Sequence, residues 1–203
     1  MAFSDFDLKM ARDRFGLTID ERQDLFSAVS ALEVPSRLRD ILDEWAPAAL
    51  AMNTEKARSE MIIAPILMEA VHLAKPPVSL FSGVSFDVDK EQGLNGACDY
   101  LLTKSVERFY ISIPVFMVVE AKKEDIAGGL GQCVAAMVAA RLFNEREGNG
   151  RRGVFGAVTT GNNWRFLRLE EKVVSIDRLE YYLHQVGEIL GILVSLTGDA
   201  AVV

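Results

Sequence analysis

Val115, Phe116, Met117, Val118 and Val119 form an unbroken apolar run that ends on Glu120, Ala121, Lys122 and Lys123. A run this short, rich in valine and free of polar interruption, predicts a strand buried on both faces. Side chains alternate along a strand, so Glu120 and Lys122 share one face and Ala121 takes the other. A carboxylate and an ammonium then stand together at the mouth of a buried strand. The neighbouring segments decide whether that pair is solvated charge or a site.

Upstream, Ala97, Cys98, Asp99, Tyr100, Leu101 and Leu102 predict a second strand with one acid among apolar neighbours. A hairpin centred near residues 109–110 places Asp99 across from Glu120, and directly opposed residues have Cβ atoms about 4.5–5.5 Å apart. Before it, Val84, Phe86 and Val88 alternate as in a strand, and residues 91–96 read as a turn. Downstream, Ile126 to Glu145 predicts a helix opening on Gly128, Gly129 and Gly131. From Ile126 to Ala140 its one strongly polar side chain is Gln132, so the helix is expected to be buried nearly all round, with the glycines permitting close packing. A lone amide in such a helix needs a partner. The glycines could also cradle a phosphate at a helix N-terminus. However, four charged residues, Lys122 to Asp125, separate them from the strand, and Val134 stands where a dinucleotide fingerprint wants a small residue.

The helix over residues 54–74, capped by Asn53 or Thr54, is apolar over most of its circumference. Pro65 is expected to bend it near the Met61 carbonyl, and Glu60 sits at the edge of its apolar part. Residues 153–160 and 164–169 read as a hairpin around Gly161, Asn162 and Asn163, with Arg165 and Arg168 among its apolar residues. Arg146, Arg151 and Arg152 make the preceding loop the most basic local patch. Asp177 is expected to cap a last helix striped by Leu179, Leu183, Val186, Leu190 and Leu193. His72 and His184 each stand alone, without a second ligand at metal spacing.

Residues 1–50 read as a helical extension packed on a core domain of residues 51–203, or as an oligomer contact. Thr18 and Glu21 fit a capping box for a short helix through Leu25 and Val29. Pro35 opens another helix, striped by Leu38, Ile41, Leu42 and Trp45. No apolar run is expected to reach membrane-spanning length. The N-terminus lacks a basic region followed by an apolar one. With only Cys98 and Cys133, too few and too far apart for a zinc cluster or disulfide framework, the chain reads as cytoplasmic with reduced thiols. A net charge of −7 disfavours nonspecific coating of nucleic acid and leaves room for a local basic cleft.

Burying Asp99 and Glu120 together is costly, because like charges raise each other's pKa. A hard divalent cation such as Mg2+ relieves this with one or two carboxylates plus waters and substrate oxygens. At this point Asp99, the run Glu120-Ala121-Lys122, Gln132 one helix later, and Glu60 on the preceding helix resemble the signature of the PD-(D/E)XK nuclease superfamily, with its restriction-endonuclease-like fold. The pattern is most similar to the nuclease domain at the start of type I restriction motor subunits and to small stand-alone relatives. It covers about residues 55–170, and Cys98 stands where the name motif has proline.

The resemblance implies an α/β fold with a central four-stranded mixed sheet flanked by helices. It implies Mg2+, with Mn2+ as substitute, on Asp99, Glu120 and the Ala121 carbonyl. Lys122 would be the water-orienting base, with Gln132 and Glu60 accessory. The implied activity is phosphodiester hydrolysis in DNA leaving 5′-phosphate, in restriction, defence or repair. Lys123, Arg151, Arg152, Arg165 and Arg168 are the candidate phosphate contacts. The acidic balance keeps a second expectation open: the same fold without catalysis, binding nucleic acid or a protein partner.

Overall fold

A computed structural model describes residues 1–149 and 153–198. The apolar run is strand β4, Val115–Ala121, buried at every position. Around it lie β2 (Ser79–Ser85), β3 (Ala97–Thr103), β5 (Gly153–Thr159), β6 (Asn163–Glu170), β7 (Val173–Ile176), β8 (Tyr181–Tyr182) and, from the N-terminal region, β1 (Thr18–Asp20). They form one mixed eight-stranded sheet in the order β1-β7-β6-β5-β4-β3-β2, with β8 also on β6. The β4–β5 and β1–β7 pairs are parallel and the rest antiparallel. The sheet therefore has eight strands where four were expected.

Helices cover both faces. One face carries α2 (Ser36–Met52), α3 (Glu55–Arg58), α4 (Ala64–Leu73) and α6 (Val186–Ser195) over Tyr100, Phe116, Val119, Ala157, Trp164 and Phe166. The other carries α1 (Leu8–Phe15) and α5 (Ile126–Arg146) over Leu101, Val118, Val154, Val158 and Leu167. α5 packs on β4 and β5 beneath and on α1 above. Its glycines allow this. A Cβ on Gly131 would lie 2.2 Å from the Asp7 carbonyl carbon, and one on Gly156 of β5 would lie 2.5 Å from Met137 Sδ. By length and composition alone, α5 is long and apolar enough to cross a membrane, which corrects the expectation that no stretch reaches that length. More than half of that apolar stretch is buried inside the fold, between the sheet and α1.

Two local signals lose to tertiary pairing. Thr18 to Glu21 forms no capping box and no helix follows through Leu25 and Val29. Thr18 and Ile19 are β-branched, which suits a strand, and β7 presents an open edge that takes residues 18–20 in parallel register. The Asp20 carboxylate instead accepts from the Arg22 backbone and from the Arg22 and Gln23 side chains, closing a turn. Leu25 and Val29 still pack on the core, and Phe26 is buried in it.

Asp177 does not cap α6. Its buried carboxyl accepts from Leu179 N and Tyr181 Oη, and a 3-10 turn at Leu183–Gln185 precedes the helix. The α2 helix runs across residues 50 and 51, and β1 belongs to the central sheet.

Candidate functional site

The β3–β4 hairpin pairs Tyr100 with Val119, Leu101 with Val118 and Leu102 with Met117. One step further along this register, Asp99 stands opposite Glu120, the placement expected of a hairpin centred near residues 109–110. An Asp99 carboxylate oxygen accepts from Ala121 N at 2.8 Å. On the other flank β5 runs parallel, and Lys122 N donates to Thr159 O at 2.8 Å. The end of β4 is thus held from both sides. Val118 belongs to the α5-side cluster, and Val119 and Ala121 to the opposite one. Strand alternation therefore turns Glu120 and Lys122 toward α5.

Glu120 is 2% exposed. Lys122 Nζ lies 2.6 Å from Glu120 Oε1 and donates at 3.1 Å to Gln132 Oε1. The one amide between Ile126 and Ala140 has found its partner in the strand-end lysine. Burial first, then the charge of Asp99, pushes the Glu120 carboxyl up to about 8 against the pull of Lys122. Burial lowers the Lys122 ammonium, but the charge of Glu120 and its hydrogen bond outweigh that and leave it raised. The nearby thiols are both free and buried. Burial pushes Cys98 up to about 12 and Cys133 well above its ordinary value, so neither is a nucleophile.

A cleft of about 240 Å³ opens beside Asp99, Tyr100 and Ala121, between Ser82 and Gly83 of β2 and a helical wall of Glu55, Lys56, Ser59 and Glu60. Thr54 caps that wall, accepting from Ala57 N at 3.1 Å. The chain then widens into a π-helical turn at Ser59–Ile63. Pro65 follows at once. It cannot donate to the Met61 carbonyl, so the regular ladder fails where a bend was expected. Such turns often accompany functional sites. Here the turn carries Ser59 to Tyr100, whose hydroxyl lies 2.6 Å from Ser59 Oγ and donates to Ser59 O at 2.9 Å. Arg58 reaches across to Thr160 O and Asn53 Oδ1, and Asn53 donates to Glu124 Oε1. These bonds strap the wall to the loop after β4.

Glu60 lines this cleft, but its exposed carboxylate pairs with Lys56 at 2.6 Å. Glu55, Ser59 and Tyr100 were not anticipated. Glu55 lines the same cleft, and its charge helps to raise Lys122. The signal was present: residues four apart on a helix share a face, so Glu55 with Ser59 and Lys56 with Glu60 form one wall.

The candidate substrate contacts among the described residues do not gather into one patch. Arg165 donates to Asp177 O and Arg178 O and pairs with Glu180 at 2.6 Å. Arg168 lies 3.6 Å from Glu170. An unbroken register along β6 puts the two arginines on opposite faces, Arg165 with Leu167 and Arg168 with Trp164 and Phe166. Lys123 is half exposed beside Glu124. Arg151 and Arg152 lie outside the described residues.

Among the described residues, no three of His, Cys, Asp and Glu cluster closely enough to cage a metal ion. The donors present are the two opposed carboxylates of Asp99 and Glu120 and the Ala121 carbonyl. Hard oxygen donors of this kind, two of them carboxyl groups whose charges disfavour each other without a cation, fit a Mg2+ ion that completes its shell with waters and substrate oxygens. They do not fit a site that needs three protein carboxylates. Comparison with protein-family models, with curated proteins and with solved structures gave no match.

Proposed function

We propose that this protein is a Mg2+-dependent nuclease of the PD-(D/E)XK type, cleaving phosphodiester bonds in DNA. The observation that carries the reading is the meeting of Asp99, Glu120, Lys122 and Gln132 at the end of β4. Asp99, Glu120 and the Ala121 carbonyl would hold the ion, with Mn2+ as a substitute. When bound, the ion polarises the scissile phosphate and stabilises the leaving oxygen. An ammonium has three N–H donors, and Lys122 directs two at Glu120 and Gln132. The third is free to orient the attacking water. Because its ammonium is held charged, Lys122 orients and stabilises rather than accepting the proton. Gln132 keeps the lysine head in place. On the cleft wall Glu60 is paired with Lys56, while Glu55 faces the cleft as an acid that discourages a polyanion from settling there without cations.

The same observations favour one alternative, a module of this fold that binds nucleic acid or a protein without cutting. The Lys122 ammonium already occupies Glu120 Oε1 within the chain, and Arg165 and Arg168 do not share a face. Incubating the protein with plasmid DNA and Mg2+ or Mn2+ separates the two. The nuclease converts supercoiled DNA to nicked or linear product, and Lys122→Ala or Asp99→Asn slows it on the order of a hundredfold or more. No cleavage by the wild type, with calorimetry showing no divalent-ion binding, selects the module.

A further inference from the structure

We propose that Gly129 is the positioning residue for Lys122: the missing side chain at this point of α5 is the channel through which the lysine stem reaches Gln132. A Cβ built on Gly129 would lie 3.0 Å from Lys122 Cγ and 3.1 Å from Lys122 Cε, and 2.6 Å from Val158 Cγ1. It would press on the lysine at two points along its length, so rotating the terminal bond cannot relieve the contact. Gln132 is three residues on, on the same helix face. The stem therefore crosses the gap at Gly129, and the head arrives between Gln132 and Glu120.

Backbone geometry does not require this glycine, since Gly129 is a buried helical residue without a positive φ. Glycine inside a helix is unfavourable relative to alanine, so the vacancy is explained by what occupies it. The adjacent glycines have other neighbours. A Cβ on Gly128 would meet the carboxylate end of Asp125, which can swing away, and one on Gly131 would meet the backbone of Phe6 and Asp7. Of the three, only Gly129 has the lysine among its nearest atoms.

The proposal rests on the nuclease reading only for its consequence in catalysis, and its test is independent of activity. Native amine labelling followed by mass spectrometry compares Lys122, 23% exposed and doubly bonded, with its half-exposed neighbour Lys123. In Gly129→Ala the Lys122-to-Lys123 labelling ratio is expected to rise, and in Gly128→Ala to stay at the wild-type value. A thermal double-mutant cycle with Lys122→Ala covers the case in which Gly129→Ala folds poorly. Gly129→Ala is expected to lower Tm less in the Lys122→Ala background, where Cγ and Cε are gone. An unchanged labelling ratio, or an equal Tm loss or failure to fold in both backgrounds, overturns the proposal and leaves Gly129 a packing residue against Val158. If the wild type cleaves DNA, Gly129→Ala is expected to lower kcat on the order of a hundredfold with KM unchanged. If the wild type does not cleave, the nuclease reading falls while the labelling and the cycle still decide the role of Gly129.

Discussion

At Glu120 two effects act in the same direction, and their sign fixes how stability responds to pH. Its carboxyl titrates near 8 in the fold against an ordinary 4.5. Between those values the folded protein holds a proton that the unfolded chain has released, so stability falls as pH rises. The stability linked to this group is complete below about pH 4.5 and lost by about pH 8. Glu120→Gln is uncharged throughout. It is expected to be more stable than wild type at the upper end of that window, on the order of a few kcal/mol, with the gap closing at the lower end. Circular-dichroism melts at the two ends check this, and a variant no more stable at the upper end would show the carboxylate already compensated. Under the proposed function, Mg2+ raises the wild-type Tm through preferential binding to the folded state, and raises that of Asp99→Asn less.

At the scale of elements, β4 is held at its start by a residue the apolar pattern of α5 concealed. Asn144, fully buried, accepts from Val115 N at 2.8 Å and donates to Val115 O at 2.7 Å. Its amide stands in for a strand neighbour. Asn144→Ala leaves both backbone groups unpaired in the interior, at a cost of about 2–4 kcal/mol, measurable by chemical denaturation. Periodicity made β3, β4, β5, β6 and α5 legible, because each has a short range of pattern and one environment. The facing of Asp99 and Glu120 was legible too, because one centre fixes every pair in a hairpin. The strand at Thr18 was not, since its partner at Val173 is remote and a local capping pattern pointed elsewhere. The start of α6 was misplaced for a similar reason: Asp177 looks like a cap, but its partners lie in the turn toward β8. The widening at Ser59 to Ile63 was visible only as the proline that follows it.

Across the whole molecule, the N-terminal region is woven into the sheet it was expected to cover. β1 extends the sheet beyond β7, Arg178 grips Asp24 through two bonds of 2.7 and 2.8 Å, and Leu32 N donates to Gly187 O at 2.9 Å. Gly187 and Gly191 make room on α6 for the backbone of residues 30–32: Cβ atoms there would lie 2.6 and 2.3 Å from the Leu32 and Ser30 carbonyl oxygens. Removing residues 1–50 therefore uncovers β7, α6 and α4 together. The truncated chain is expected to aggregate or lose cooperative melting, as light scattering and calorimetry would register, and a well-folded monomer would show that residues 51–203 suffice.

The pairing of Thr18 with Val173 also bears on how the chain is made. On the ribosome, residues 18–20 emerge long before β7 and must wait until it has been synthesised. Contacts so distant along the chain are slow to form, and an unpaired strand is a template for wrong partners. The three-residue length of β1 and the charge at Asp20 limit that hazard during the wait. One edge of the sheet is then closed by a strand made long before its partner.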